Sequence, residues 1–244
     1  MSVINIIYED DDVLVVNKPS GLVVHSDGKT KEITLSDWAV SHYPQIKGVG
    51  ESLILSDGTT VERHGIVHRL DRETSGVMVL AKNQEAFLFL KNQFEKREIK
   101  KIYNAFVYGK LKEKEGTIDK PIARSSSDFR KWSAQEGMRG KEREAVTSYT
   151  VLEDCADASF VEITPTTGRT HQIRVHFKAI NHPLVCDSLY APKRKCLFGF
   201  DRLALHARIL TTSLPKGGTA TLEAELPNDF KTALTELAKL KQSI

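Results

Sequence analysis

The sequence predicts an α+β fold, a mainly antiparallel central sheet with flanking helices. Short β-branched or alternating runs recur along the chain, while a few stretches carry apolar residues at helical spacing instead. The 244 residues, 40% of them hydrophobic, are enough for one sizeable core without disulfides or metals. No internal repeat or linker interrupts residues 1–244, which read as a single domain.

In order, "VLVVNKP" and "GLVVH" read as two strands around the tight turn at Pro19 and Gly21. Residues 38–60, with Pro44, Gly48, Gly50 and "SDGTT", read as a helix followed by a long loop. "GVMVLAKN" is nearly continuously apolar, the pattern of a central strand. Asn83 is placed to cap a helix over "QEAFLFLKNQFEKRE", with Phe87, Leu90 and Phe94 on one face. "KKIYNAFVYG" returns as a strand with Tyr103, Ala105 and Val107 on one face and Ile102, Phe106 and Tyr108 on the other. Residues 116–143 are polar and basic, an exposed excursion with room for a short hairpin.

"EAVTSYTVLE" and "ASFVEITP" follow as strands. In "TGRTHQIRVHFKAINHP", Ile173, Phe177 and Ile180 predict a helix, with Thr170 as its cap and Pro183 just beyond its end. Arg174 and Lys178 then fall on a face that need not be buried. "LALHARILTTS" and "TATLEAEL" complete the strands, and a last helix starts near Asn228.

Composition narrows the function. The start lacks a basic segment followed by an apolar core, and no apolar run is long enough to cross a bilayer, so a cytoplasmic protein without a membrane partner is expected. Cys155, Cys186 and Cys196 show no CxxC spacing, so free thiols are expected, with neither disulfide nor zinc. The net charge of +3 says little about a nucleic-acid partner, but its distribution says more. Lys91, Lys96, Arg97, Lys100, Lys101, Lys110 and Lys112 form one cluster. Arg124, Arg130, Lys131, Arg139, Lys141 and Arg143 form the next, and a solvated charged face is an equal reading of both.

Asp71 lies between Arg69 and Arg72, just before the turn signal "ETSG". Adjacent guanidiniums favour an ionised carboxylate, which could serve as nucleophile or base, although an acid in this setting often makes only a local turn or ion pair. Ser75, His68 and Asp71 have the residue types of a hydrolase triad but lack the GxSxG elbow. Asp71 and Glu73 could imitate a glycosidase carboxylate pair, a pattern common by chance. His171, His176, His182 and Cys186 could suggest a metal site, but His171 and His176, five apart on a helix, do not share a face.

Four stretches together decide among these readings: "NKPSGLVVH", "HRLDRETSG", "KIYNAFVYG" and "TGRTHQIRVH". With looser agreement in "NHPLVCDSLY" and "RLALHA", the chain resembles the RluA family of pseudouridine synthases over about residues 8–210. The resemblance implies a pseudouridine synthase-like fold with a central active-site cleft, and an enzyme that isomerises uridines in structured ribosomal or transfer RNA. It implies Asp71 as the catalytic aspartate, Tyr103 as the tyrosine stacking on the base, and Arg174 as the basic partner of Asp71. Arg69, His68, Thr74, Lys101, Arg169 and His171 would bind substrate.

The residue chemistry agrees with those roles. A carboxylate can attack the sugar or assist departure of the base, an aromatic face can hold the loosened base, and a phenol can help remove the final proton. No redox step or external nucleophile is involved, so neither cofactor nor metal is expected. RNA is the expected partner and a monomer the expected state. A catalytically silent RNA-binding protein and an N-glycosidic bond hydrolase are the alternatives. The chain departs from the family at Cys186, where relatives usually have glycine, and at Leu214, where a histidine is common. Many relatives carry a separate RNA-binding module before the catalytic domain. Here the pattern starts within ten residues, so no such N-terminal module is expected.

Overall fold

The structure, a computed structural model, describes residues 4–26, 32–54, 58, 60–135 and 138–242. Along the chain run β1 (Asn5–Glu9), β2 (Val13–Lys18), α1 (Leu35–His42), β3 (Leu53–Ile54), β4 (Thr60–Val61), β5 (Ser75–Ala81) and α2 (Gln84–Glu95). Then come β6 (Lys100–Tyr108), β7 (Glu115–Asp119), β8 (Ile122–Ser125), β9 (Trp132–Ser133), β10 (Met138–Arg143), β11 (Val146–Asp154) and β12 (Ala158–Pro165). The chain finishes with α3 (Gln172–Ala179), β13 (Leu205–Ser213), β14 (Thr219–Glu223) and α4 (Asn228–Gln242). The fold is α+β, and strands β1–β2, β2–β5, β6–β12, β12–β11, β11–β7 and β13–β14 all pair antiparallel.

The chain divides into two compact units, Met1–Lys100 with Ala207–Ala224, and Lys101–His206 with Glu225–Ile244. In the first unit the strand order is β1-β2-β5-β13-β14. β5 is buried at all seven positions, as its unbroken apolar run requires. α2 starts where expected: the Asn83 side chain accepts the Ala86 N–H at 2.9 Å, and Phe87 and Leu90 are buried. α1 is fixed by a reciprocal capping box between Thr34 and Asp37.

"GLVVH" is not a strand. The carbonyls of Val23 and Val24 accept the N–H groups of Leu35 and Ser36, and the Leu22 carbonyl accepts the Lys18 ammonium. These groups are therefore spent on the start of α1 and on a buried cation rather than on a ladder. The expected long loop after α1 contains a 3₁₀ turn, Pro44–Ile46, and the short β3–β4 pair, with part of "SDGTT" outside the described residues.

Gly76, the last residue of "HRLDRETSG", marks a close approach of two strands. Its φ is +120°, and a Cβ there would lie 2.1 Å from the Ala207 carbonyl oxygen. No side chain fits that separation.

In the second unit the order is β6-β12-β11-β7. Tyr103 opposes Ile163, and Tyr103, Ala105 and Val107 pack into one apolar cluster with Phe177 and Leu203. Phe106 and Tyr108 enter a second cluster with Phe160, Phe200 and Phe230. The alternation read from "KIYNAFVY" thus separates two cores on opposite faces of β6. The basic excursion is a three-stranded sheet, β10-β8-β9, larger than a hairpin, with residues 136–137 outside the described set.

Candidate active site

The first unit carries His68, Arg69, Asp71 and Thr74 on the segment entering β5. Its backbone is clamped by "NKPSG". Lys18 is fully buried, and its ammonium donates to the carbonyls of Pro19, Leu22 and Arg72 at 2.8–3.0 Å. The Ser20 hydroxyl donates to the Glu73 carbonyl at 2.7 Å, and the Gly21 N–H donates to the Arg72 carbonyl at 2.9 Å. Asp71 itself closes a turn, its carbonyl accepting the Thr74 N–H at 3.1 Å. An acid on a turn held this way keeps its position without a helix or strand of its own.

The guanidiniums flanking Asp71 also contact other groups. Arg72 pairs with Glu32, and Arg69 reaches the His25 ring at 3.4 Å. Burial, together with the nearby Arg69 and Arg63, holds His25 below the usual imidazole range. His68 braces the strand that follows: its Nε2 accepts the Val79 N–H at 3.1 Å, and its ring stacks on Phe94 at 4.6 Å. The proton of the neutral ring therefore sits on Nδ1. Thr74 is buried, and among the described residues its hydroxyl has no hydrogen-bond partner, an unusual condition for a polar atom inside a fold.

The second unit carries Lys101, Tyr103, Arg169, His171 and Arg174. Tyr103 is half-buried on β6, two residues after Lys101. Burial lowers the pKa of the Lys101 ammonium, which lies 3.6 Å from where a Cβ on Gly168 would sit. The "TGRT" turn is built around buried Gln172. Gln172 Oε1 accepts from the Thr167 hydroxyl at 2.7 Å and the Arg169 N–H at 3.0 Å. Its Nε2 donates to the Val146 carbonyl and the Thr147 hydroxyl, each at 3.0 Å. The Arg169 side chain donates to the Glu144 carbonyl at 3.0 Å.

Two expectations for α3 are corrected. Its N-cap is His171 at φ +57°, not Thr170, and among the described residues no side chain caps the helix. Arg174 is buried, 6% exposed, not on a free face. The reason is a carboxylate thirteen residues on. Asp187 grips Arg174 in a bidentate pair, Nε to Oδ2 and Nη2 to Oδ1, both 2.8 Å. The same Oδ1 accepts the N–H groups of Leu189 at 3.0 Å and Tyr190 at 2.9 Å. The Arg174 guanidinium also lies 5.1 Å from the Tyr190 ring centre. The Tyr190 hydroxyl contacts His171 Nδ1 at 3.0 Å and accepts the Trp132 N–H at 3.0 Å. Asp187 and Tyr190 are the site residues that sequence reasoning missed. Their signal was an Asp three residues before a Tyr in "CDSLY", which no local pattern ties to Arg174.

The cysteine expectation is also corrected. Cys186 and Cys196 form a disulfide, and only Cys155 remains a free, buried thiol. The pair is ten positions apart in the sequence, and a turn that puts Cys186 at φ +59° brings them together. Among the described residues no group of three or more His, Cys, Asp or Glu could hold a metal ion. The histidines considered for that role have other work. His176 lies fully buried between the Thr147 hydroxyl at 2.8 Å and the Lys120 carbonyl at 2.9 Å, and burial lowers its pKa. His182 Nδ1 bonds the Tyr108 carbonyl at 2.8 Å.

The basic excursion presents exposed Arg139, Lys141 and Arg143 on β10. Arg124 stacks 4.5 Å from the Trp132 ring centre, and Phe129 stands 84% exposed.

Comparison with known proteins identifies the stretch that carries most of these arrangements. Residues 12–179 match the RNA pseudouridylate synthase family. The chain belongs to that family. The synthase is 39% identical over 237 residues to an RNA pseudouridine synthase of Bacillus subtilis, covering 97% of this chain and 73% of the relative. It is 39% identical over 245 residues to ribosomal large subunit pseudouridine synthase D of Neisseria meningitidis serogroup B, covering 96% of this chain and 61% of the relative. The synthase also resembles the solved structure of human RNA pseudouridylate synthase domain containing 4. There the TM-score is 0.74 at 27% identity, covering 96% of this chain and 93% of that one. The enzyme is an isomerase that converts uridine to pseudouridine in RNA. Among the described residues no helix is long and apolar enough to cross a membrane.

Proposed function

We propose that the synthase acts on uridines of large-subunit ribosomal RNA, with Asp71 as the nucleophile. The observation that carries the assignment is the clamped turn. Asp71 is the acid within "HRLDRETSG", and fully buried Lys18 fixes the backbone carbonyl of its neighbour Arg72. The large-subunit assignment is supported by the names of relatives from Neisseria, Pseudomonas and Yersinia, all ribosomal large subunit pseudouridine synthases D.

In this reading the target nucleotide leaves its stack, and the RNA supplies its unpaired base. The Asp71 carboxylate adds to C1′ as the C1′–N1 bond breaks, leaving the sugar esterified and the base as a uracil anion. The base turns while resting on the Tyr103 ring. C5 then attacks C1′, the Asp71 ester bond breaks, and loss of the C5 proton restores the ring, with the Tyr103 phenol assisting. Arg174, oriented by Asp187, supplies positive charge to the same nucleotide. Arg69, Lys101 and Arg169 take phosphates, and Thr74, His68 and His171 complete the substrate contacts. The domain works as a monomer, in the cytoplasm, without a cofactor.

The test is Asp71→Asn. Pseudouridines are mapped by chemical derivatisation in total RNA from a deletion strain carrying wild type or variant. At least one large-subunit position should disappear with the variant, while RNA affinity and melting temperature stay near wild type. A normal map with Asp71→Asn refutes the nucleophile, a lost site in transfer RNA refutes the substrate, and release of free uracil indicates hydrolysis.

A further inference from the structure

We propose that Cys186 and Cys196 form a thiol–disulfide exchange site, and that reduction by a dithiol loosens the grip of the intervening loop on Arg174. The consequence for catalysis rests on the role assigned to Arg174 above; the exchange site does not.

The disulfide closes a loop containing both residues that hold Arg174. Cys186 immediately precedes Asp187, and Tyr190 lies three residues further. Cys186 has a left-handed backbone, φ +59°, which a residue with a Cβ adopts only when its surroundings hold it there. Among the ties that do so are the bond to Cys196 and the Tyr108 hydroxyl, which accepts the Cys186 N–H at 3.2 Å.

The same hydroxyl donates to the Lys195 carbonyl at 2.7 Å, so Tyr108 pins both arms of the loop beside their cysteines. Breaking the S–S bond leaves the two thiols opposed, the arrangement that makes closure reversible.

Reactivity favours one end. Cys196 is exposed, whereas Cys186 is half-buried and Cys155 sits among Phe106, Phe160 and Phe230. Lys193, Arg194 and Lys195 immediately precede Cys196 and are exposed, a positive setting that stabilises a thiolate. The thiolate of a dithiol attacks Cys196 Sγ, forming a mixed disulfide, and Cys186 leaves as thiolate and takes a proton. The second thiol of the reductant then attacks its own mixed-disulfide sulfur and releases Cys196. Two electrons and two protons pass to the protein, and the reductant becomes a cyclic disulfide.

Reduction removes the covalent tie and leaves Cys186 with the Tyr108 hydrogen bond and the 3.4 Å contact of its Sγ with the Phe200 carbonyl, next to the carboxylate whose Oδ1 accepts the amides of Leu189 and Tyr190. Those two amides report the grip directly. The full chain is equilibrated at a series of reduced-to-oxidised dithiothreitol ratios. Thiols are counted by acid quench, alkylation and mass spectrometry, and amide exchange and pseudouridine formation on total RNA from a deletion strain are measured on the same samples.

The expected result is a two-electron transition at Cys186 and Cys196, with Cys155 unreactive in the native state. Exchange at Leu189 and Tyr190 should rise at least tenfold on reduction, and turnover should fall at least fivefold with little change in KM, recovering on reoxidation. The Cys186→Gly/Cys196→Ser double variant, whose glycine suits the positive φ, should ignore dithiothreitol in both assays. Two free thiols under every oxidising condition overturn the site. A normal transition with unchanged amide exchange leaves a structural staple only and overturns the coupling. A normal transition with faster exchange but unchanged turnover refutes the role given to Arg174 and leaves the exchange site standing.

Discussion

Asp187→Asn is the sharpest probe of the buried pair. In the wild type, Oδ1 accepts three N–H groups, from Arg174 Nη2, Leu189 and Tyr190, and Oδ2 accepts one, from Arg174 Nε. Asparagine can keep the three bonds at its oxygen, but its amide then points a donor at the Arg174 Nε–H, also a donor. One charge-assisted bond is lost, and a guanidinium with 7% of its side chain exposed loses the negative charge of Asp187. Removing one partner of a buried pair costs about 3–5 kcal/mol. At about 2–4 °C per kcal/mol for a chain of this size, melting should fall by roughly 6–20 °C. Circular-dichroism melts of wild type, Asp187→Asn, Arg174→Met and the double variant check it. The double variant should melt above Asp187→Asn because the buried guanidinium goes together with the carboxylate. A fall under about 2 °C for Asp187→Asn, or simple additivity of the two changes, refutes the reasoning.

Other expectations follow from the same geometry. Arg174→Lys replaces a two-pronged donor with a point charge, so kcat on total RNA from a deletion strain should fall by at least tenfold while melting changes far less; equal proportional losses would mean a purely structural role. His25 and His176 both have pKa values lowered by burial, so the unfolded chain takes up protons first as pH drops. Stability should be full above pH 6.5, the ordinary imidazole value, and decline as acid carries pH through the lowered values; urea titrations from pH 8 to 5 should show less decline in His176→Asn. Replacing exposed Arg139 and Lys141 by alanine should weaken RNA binding across sequences and reduce the slope of log K against log salt by about one per cation, measured by filter binding; an unchanged slope would remove this strand from the interface.

What the sequence showed well was whatever a local pattern controls. The seven-residue buried run of β5, the Asn83 cap and the two faces of β6 each follow from periodicity or one side-chain bond. What it hid depends on distant partners. "GLVVH" has strand composition, but its carbonyls face α1 and Lys18. Arg174 looks like a surface arginine until Asp187 is placed against it, and the cysteine pair depends on a turn at a residue with no glycine to announce it. The site itself was less legible than the fold. Asp71, Tyr103 and Arg174 lie far apart along the chain, and only the combination of motifs proposes them as one site. The clamp on the Asp71 turn comes from Lys18, which no local pattern in the sequence marks for that role.

Gly76 sets a limit on how this enzyme can be redesigned. It sits five residues after Asp71, where it is easily mistaken for part of the chemistry, yet what it supplies is the absence of a β-carbon, which would stand 2.1 Å from the Ala207 carbonyl oxygen. In a saturation library selected only for soluble, folded protein, with no demand for activity, position 76 should still return glycine alone. Gly21, also at positive φ but with nothing within 4 Å of where a Cβ would sit, should return asparagine and aspartate as well.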